Sequence, residues 1–210
     1  MALSREYFGR VARQWDRMRQ EYFSDEVREA AIARAGLTSD MVAADVGSGT
    51  GFIAAGLAPL VKEVICIDSS PEMLEVARQN LAGFPNVRFE VADGSCLPLP
   101  AESVDAAFAN MYLHHMPDPL AAIMEMARIL KPGGVLVITD EDKHENEWQR
   151  AEMADLWLGF ERELIRTWYG EAGLEDVSVD CTGQSCCATS ECGSRSEISI
   201  FVAAGRKPKR

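Results

Sequence analysis

Apolar positions along this chain fall into short unbroken runs separated by stretches of helical period. Met41, Val42, Ala43 and Ala44 read as a buried strand ending at Asp45 and Val46. A helix-prone segment, Phe52 to Leu60, follows. Glu63 to Ile67 forms a second strand ending at Asp68. Ser70 as N-cap and Pro71 at the first helical position open a helix in which Met73, Leu74, Ala77 and Leu81 share a face, with Gly83 as its expected C-cap. Val87 to Val91 makes a third strand, leading into Ala92-Asp93-Gly94, and Val104 to Ala109 a fourth, ending at Asn110. Asp118 and Pro119 open a further helix with Leu120, Ile123, Ala127 and Leu130 on one face, stopped by Lys131-Pro132-Gly133-Gly134. Val135 to Thr139 is a fifth strand, apolar enough to be covered on both faces. Residues 148–160 and 161–172 read as two helices ending at Gly173, with strand six at Val177 to Cys181 and strand seven at Ile198 to Val202. The first 36 residues read as helical. One segment carries Tyr7, Phe8, Val11 and Trp15; a second, capped by Ser24, carries Val27, Ala31 and Ala35 and ends at Gly36.

Strands alternating with helices predict an α/β fold with a parallel sheet, whose ligand lies at the C-terminal strand ends. The stretch Asp45-Val46-Gly47-Ser48-Gly49-Thr50-Gly51 turns the first strand into its helix. Glycines there let a ligand approach backbone amides, because no Cβ blocks it. The spacing departs from the dinucleotide pattern G-x-G-x-x-G, and Phe52 stands where that pattern wants glycine. The acid at the strand end repels a phosphate and favours a cation. Asp68 lies about twenty residues past the first glycine, where a carboxylate can bind ribose hydroxyls.

The series from Asp45 to Gly51, then Asp68, Asp93-Gly94, Asn110 with Leu113-His114-His115-Met116-Pro117-Asp118-Pro119, and Leu130 to Gly134, resembles class I S-adenosylmethionine-dependent methyltransferases, of which the ubiquinone/menaquinone biosynthesis type is the familiar example. The resemblance is close over residues 40–140. It implies a Rossmann-like, doubly wound seven-stranded sheet of order 3-2-1-4-5-7-6, last strand antiparallel, with helices on both faces. The implied organisation is a helical segment or lid over residues 1–36, then a methyltransferase domain over 37–210 with a cysteine-bearing strand 6–7 hairpin at 177–205. The implied cofactor is S-adenosyl-L-methionine. Asp45 with Gly47, Ser48, Gly49, Thr50 and Gly51 would face its methionine part; Asp68, with Ser69 and Met73 beside it, the ribose; Asp93 and Gly94 the adenine; and Asn110, Met111 and Tyr112 the end of strand four. Tyr7 is expected as a lid contact. Residues 155–160 and 171–174 also resemble methyltransferase domains fused to bacterial metal- and arsenic-responsive repressors.

The donor methyl is already electrophilic, so the protein has mainly to position an acceptor and exclude water. A base is required only for a protonated nucleophile. The acidic run Asp140-Glu141-Asp142-Lys143-His144-Glu145 follows strand five beside the expected acceptor opening. It reads either as a solvated loop or as a site in which Glu141 or His144 acts on the acceptor. Of His114 and His115, one is expected to pack the loop and the other, His115, to face the acceptor.

Of six cysteines, Cys181, Cys186, Cys187 and Cys192 fall at the end of strand six and in the expected loop before strand seven. Thiolates bind zinc, copper(I) or arsenic(III), although C-x4-C-C-x4-C does not match the common zinc pairs. These cysteines form a candidate thiophilic site, and arsenite methylation an acceptor hypothesis. A sensor using the same loop and a nicotinamide oxidoreductase are the alternative readings.

Bulk properties narrow the class. With 210 residues and 47% hydrophobic positions there is matter for one α/β domain. A net charge of −12 disfavours nucleic acid as a partner and leaves a small molecule as the expected substrate. No apolar run is long enough to span a membrane, and no secretion segment follows Met1, so a cytoplasmic location is expected.

Overall fold

The computed structural model describes residues 2–209. Seven strands form one sheet in the order β3-β2-β1-β4-β5-β7-β6: β1 Val42–Val46, β2 Glu63–Asp68, β3 Val87–Val91, β4 Val104–Asn110, β5 Leu130–Glu141, β6 Glu175–Thr189 and β7 Arg195–Arg206. The first five pair in parallel, and β7 runs antiparallel to both β5 and β6. Side-chain alternation divides the sheet between two cores. Ala44, Ile65, Ala107, Leu136 and Phe201 face one side, under α6 (Pro119–Ile129) and α8 (Arg162–Glu171). Ala43, Val64, Cys66, Ala106 and Val137 face the other, under α3 (Glu26–Ala33), α4 (Phe52–Leu57) and α5 (Pro71–Asn80).

The expected caps are present. Ser70 Oγ accepts from Met73 N at 3.2 Å, and Asp118 Oδ1 from Ala121 N at 3.0 Å. Several element bounds differ from the sequence expectation. The helix after the glycine loop ends at Leu57 rather than Leu60. Helix α5 ends at Asn80, and Gly83 is not its left-handed cap, because Leu81 turns inward to pack beside Gly51. Strand β5 begins at Leu130, with the Lys-Pro-Gly-Gly stop drawn into its start, where Lys131 Nζ binds the Asp105 carboxylate at 2.9 Å.

The predicted helix over 148–160 is mostly absent: α7 spans only Trp148–Glu152. Residues 158–160 instead run beside 141–144, with Phe160 N donating to Glu141 O, Lys143 N to Phe160 O and His144 N to Leu158 O. A Cβ on Gly159 would sit 2.3 Å from Asp142 O, so this approach requires glycine.

Strands β6 and β7 extend far beyond the predicted cores. The ladder pairs Cys186 with Ile198 and Cys187 with Glu197 across a register shift near Gly183, leaving only residues 190–194 as the turn. Against this extension pack α2 (Trp15–Tyr22) and the chain after it, through Phe23, Val27, Cys186 and Ile200. The N-terminal region thus holds α1 (Ala2–Val11), a short 3-10 turn, α2 and α3, three helices where two were expected.

Candidate active site

The glycine loop leaves β1 with Gly47 at φ +68° and Gly51 at φ +90°, conformations that L side chains rarely adopt. Gly47 N and Ser48 N donate to Ile67 O at 2.8 and 3.1 Å, which fixes the loop to the end of β2. Asp68 accepts from Gly49 N and from Ser70 N, each at 2.8 Å. Burial pushes the Asp68 carboxyl up from its ordinary range, and these backbone donors oppose the shift. Between these strand ends lies a crevice of about 70 Å³, narrowed by the Tyr112 ring.

Of the residues expected there, Gly47, Asp68, Ser69, Gly94 and Tyr112 form the wall, joined by Phe8 and Ser4 of α1 and by His115 and Met116. The Tyr112 ring fills part of the space. A Cβ on Gly47 would lie 2.2 Å from the ring, and one on Gly94 1.6 Å from its hydroxyl oxygen. The Tyr112 hydroxyl is buried without a hydrogen-bond partner, as is the Ser48 hydroxyl.

Other expected contacts lie elsewhere. Asp45 is buried, and its carboxylate accepts from Ala54 N at 3.0 Å. Met73 is buried, Asn110 accepts from the Thr139 hydroxyl at 2.8 Å, and Asp93 holds a turn through Ser95 N at 2.9 Å. The Thr50 hydroxyl donates to Asp16 of α2, which also receives Asn80 Nδ2 at 2.8 Å. Asp16 therefore ties the N-terminal helices to the loop, a role that nothing in its sequence context marks.

Asp45 carries a consequence for stability. Burial, opposed by the Ala54 N–H and reinforced by the Asp68 charge, raises its carboxyl from 3.8 to about 7. A folded state that holds this proton more tightly than the unfolded chain is favoured at low pH. The contribution is complete below about pH 4 and is lost as pH rises to about 7. Asp45→Asn is expected to flatten that decline in urea-unfolding free energy measured from pH 4 to 7.5; an unchanged slope would remove Asp45 as its cause.

A second cavity adjoins the crevice. Tyr7, Trp15, Tyr22, Phe23 and Met111 wall it; His114, His115, Glu141, Asp155 and Cys186 form its polar floor. Tyr7 thus lies over this cavity, not over the crevice where it was expected. The run after strand five is no solvated loop at its start, since Asp140 and Glu141 are buried in β5. Asp140 accepts from Tyr112 N, Leu113 N and Glu141 N at 3.1, 2.8 and 2.8 Å, and lies 2.6 Å from His114 Nδ1. Burial works against the His114 cation, but Asp140, with Asp155 and Glu141 behind it, raises its pKa to about 10. Burial and the neighbouring His114 charge hold His115 well below the ordinary imidazole range. Burial raises Asp155 to about 6 against the pull of His114.

His144 is oriented by two bonds. Asn146 N donates to its Nδ1 at 3.2 Å, so neutral His144 carries its proton on Nε2 and donates to Glu141 Oε2 at 3.1 Å. All three histidines of the chain are gathered here. His115 alone among the titratable groups of this floor also lines the crevice.

The cysteines do not gather. Cys186 and Cys187 are consecutive in β6 and point to opposite faces; Cys181 and Cys192 are exposed. Burial, with Glu141 adding to it, keeps Cys186 a neutral thiol.

Residues 44–138 match the profile described as a methyltransferase domain. Over that segment the chain is similar to methyltransferase domains. The chain is 33% identical over 167 residues to 2-methyl-6-phytyl-1,4-hydroquinone methyltransferase 1, chloroplastic, of Oryza sativa subsp. japonica, covering 77% of this chain and 50% of that one. It is 34% identical over 139 residues to demethylmenaquinone methyltransferase of Tropheryma whipplei, covering 65% and 58%. The chain spans about half the length of the first curated relatives it matches. The fold matches that of YcgJ from Bacillus subtilis at a TM-score of 0.73 and 20% identity, over 88% of this chain and 99% of that one. It also matches a SAM-dependent methyltransferase from Aquifex aeolicus at a TM-score of 0.69 and 22% identity, over 94% and 97%. No helix among the described residues is long and apolar enough to cross a membrane.

Proposed function

We propose that this protein methylates a small aromatic acceptor of the 1,4-hydroquinone type with S-adenosyl-L-methionine. The observation that carries this reading is the junction of two cavities at His115: a glycine- and carboxylate-lined crevice on one side, an aromatic-walled pocket on the other. The crevice suits the nucleoside donor. Its glycines leave room beside the backbone, and Asp68 faces it with lone pairs left for ribose hydroxyls. Gly47 and the loop would hold its methionine part, Asp68 and Ser69 its ribose, and Gly94 its adenine. Bound there, the donor supplies an electrophilic methyl group.

The aromatic walls suit a planar ring, and the floor suits its hydroxyl groups. An acceptor that gains a methyl group at carbon or oxygen gives up a proton. We assign that proton to His115 or Glu141, both of which line the pocket, with His144 bonded to Glu141 behind it. Helices α1 and α2 act as the cover, pinned by Asp16 and contributing Phe8 to the crevice and Tyr7, Trp15 and Tyr22 to the pocket. The relatives named for phytyl-hydroquinone and demethylmenaquinone support this acceptor class. The arsenic and sensor readings need a thiolate cluster, and the dispersed cysteines give them no support.

The test is methyl transfer from labelled S-adenosylmethionine across a panel of substituted 1,4-hydroquinones, arsenite and thiols. Labelled hydroquinone product is expected, falling about 100-fold or more in His115→Ala with S-adenosylhomocysteine binding retained. Binding of S-adenosylhomocysteine without transfer to any hydroquinone would overturn the acceptor class.

A further inference from the structure

We propose that His114 Nε2, His115 Nδ1 and Asp155 Oδ1 form a binding site for a divalent first-row transition ion, opening into the aromatic-walled cavity. Among the described residues, these are the one group of three histidine, cysteine or acidic side chains whose donor atoms all lie within 4.8 Å of one another. Asp155 Oδ1 is 3.8 Å from His114 Nε2 and 3.7 Å from His115 Nδ1. An ion with bonds of about 2.0–2.2 Å in tetrahedral array sets its donors roughly 3.3–3.5 Å apart. The two contacts of Asp155 need to contract by only a few tenths of an ångström, and the two imidazole donors lie within 4.8 Å of each other.

The surroundings are those of a metal centre as well. Asp140 grips the other nitrogen of His114 at 2.6 Å, the carboxylate–histidine arrangement that fixes a ligating imidazole. The Ala154 carbonyl stands 3.2 Å from His115 Nδ1, close enough to become a further oxygen ligand. Two imidazoles with one carboxylate and a neighbouring carbonyl select zinc, cobalt or iron over magnesium or calcium. The side chains of His114 and Asp155 are only 6% and 3% exposed, so the ligand set is held in place before any ion arrives. Without the ion, protons occupy these contacts. Loading expels the one between His114 and Asp155 and moves that of His115 to Nε2.

This inference rests on the second cavity being the acceptor pocket. An ion on its floor would take the acceptor hydroxyl oxygen as its open ligand and favour the ionised form beside the donor methyl. His115 would then act on the acceptor through the ion.

The experiment uses the full chain, stripped with chelator and handled anaerobically because six cysteines are free. Titration with Co2+ is followed by visible absorption, and with Zn2+ by calorimetry. One ion per chain is expected, with ligand-field bands and no thiolate-to-cobalt charge-transfer band. Asp155→Asn, close to isosteric and so the safest for folding, should weaken binding by about tenfold or more. His115→Ala should do the same, and Cys186→Ser should leave the spectrum unchanged. Absence of stoichiometric binding, unaltered affinity in both Asp155→Asn and His115→Ala, or a thiolate band lost with Cys186→Ser would each overturn the assignment. S-adenosylhomocysteine binding, measured on the same samples, reports separately on the methyltransferase reading.

Discussion

Asp68→Ala is expected to reduce S-adenosylhomocysteine affinity by two orders of magnitude or more. The Asp68 carboxylate has two duties at once. It accepts from Gly49 N and Ser70 N, joining the glycine loop to the start of α5. It also faces the crevice, where its remaining lone pairs are available to ribose hydroxyls. Hydrogen bonds to a charged group contribute about 1.5–3 kcal/mol each, so losing two of them corresponds to roughly 10²–10⁴ in affinity. Asp68→Asn keeps one acceptor oxygen and should fall between wild type and alanine. Calorimetry decides: affinity within threefold of wild type in Asp68→Ala would remove Asp68 from the site.

Tyr112→Ala is expected to act in the opposite direction. The sequence places Tyr112 among the residues that hold the donor. In the structure its ring occupies part of the crevice, pressed against Gly47 and reaching Gly94, with its hydroxyl buried and unpartnered. A ligand of the crevice must first move that ring. Removing it should raise S-adenosylhomocysteine affinity by about tenfold, the equivalent of about 1.4 kcal/mol. Tyr112→Phe keeps the ring and deletes the orphaned hydroxyl, whose burial costs about 1–3 kcal/mol. The filled state is thereby stabilised, and binding should weaken severalfold. The alanine variant should also unfold at lower temperature, since a partly buried aromatic ring packed against the core is lost. If Tyr112→Ala weakens binding instead, the tyrosine is a contact of the ligand and not its competitor.

Part of the crevice wall can be named from the sequence, and the floor of the second cavity cannot. Gly47 to Gly51 and Asp68 lie within single strand-to-helix turns and Gly94 just beyond β3, and local spacing fixes where such groups emerge. The floor is assembled from segments far apart in the chain. His114 and His115 follow β4, Asp140 and Glu141 end β5, Asp155 lies in the irregular segment after α7, and Cys186 comes from β6. Asp155 carries no local sign of its role, because its partners are about forty residues away in sequence. The acidic run was ambiguous for the same reason: only the pairing of β5 with β7 buries Asp140 and Glu141. The cysteine hairpin misled, since the polar, glycine-containing stretch 182–194 reads as loop although the β6–β7 ladder runs through most of it.

The sequence by itself determined the α/β order, the strand ends, the helix caps at Ser70 and Asp118, and the glycine loop with its acids. These depend on interactions within a few residues, which periodicity and spacing report directly. Only the tertiary structure decided that the cysteines stay apart, that all three histidines meet buried carboxylates, and that residues of the N-terminal helices line both cavities. Those outcomes depend on which faces of distant segments are buried together, and a linear pattern does not encode that distance.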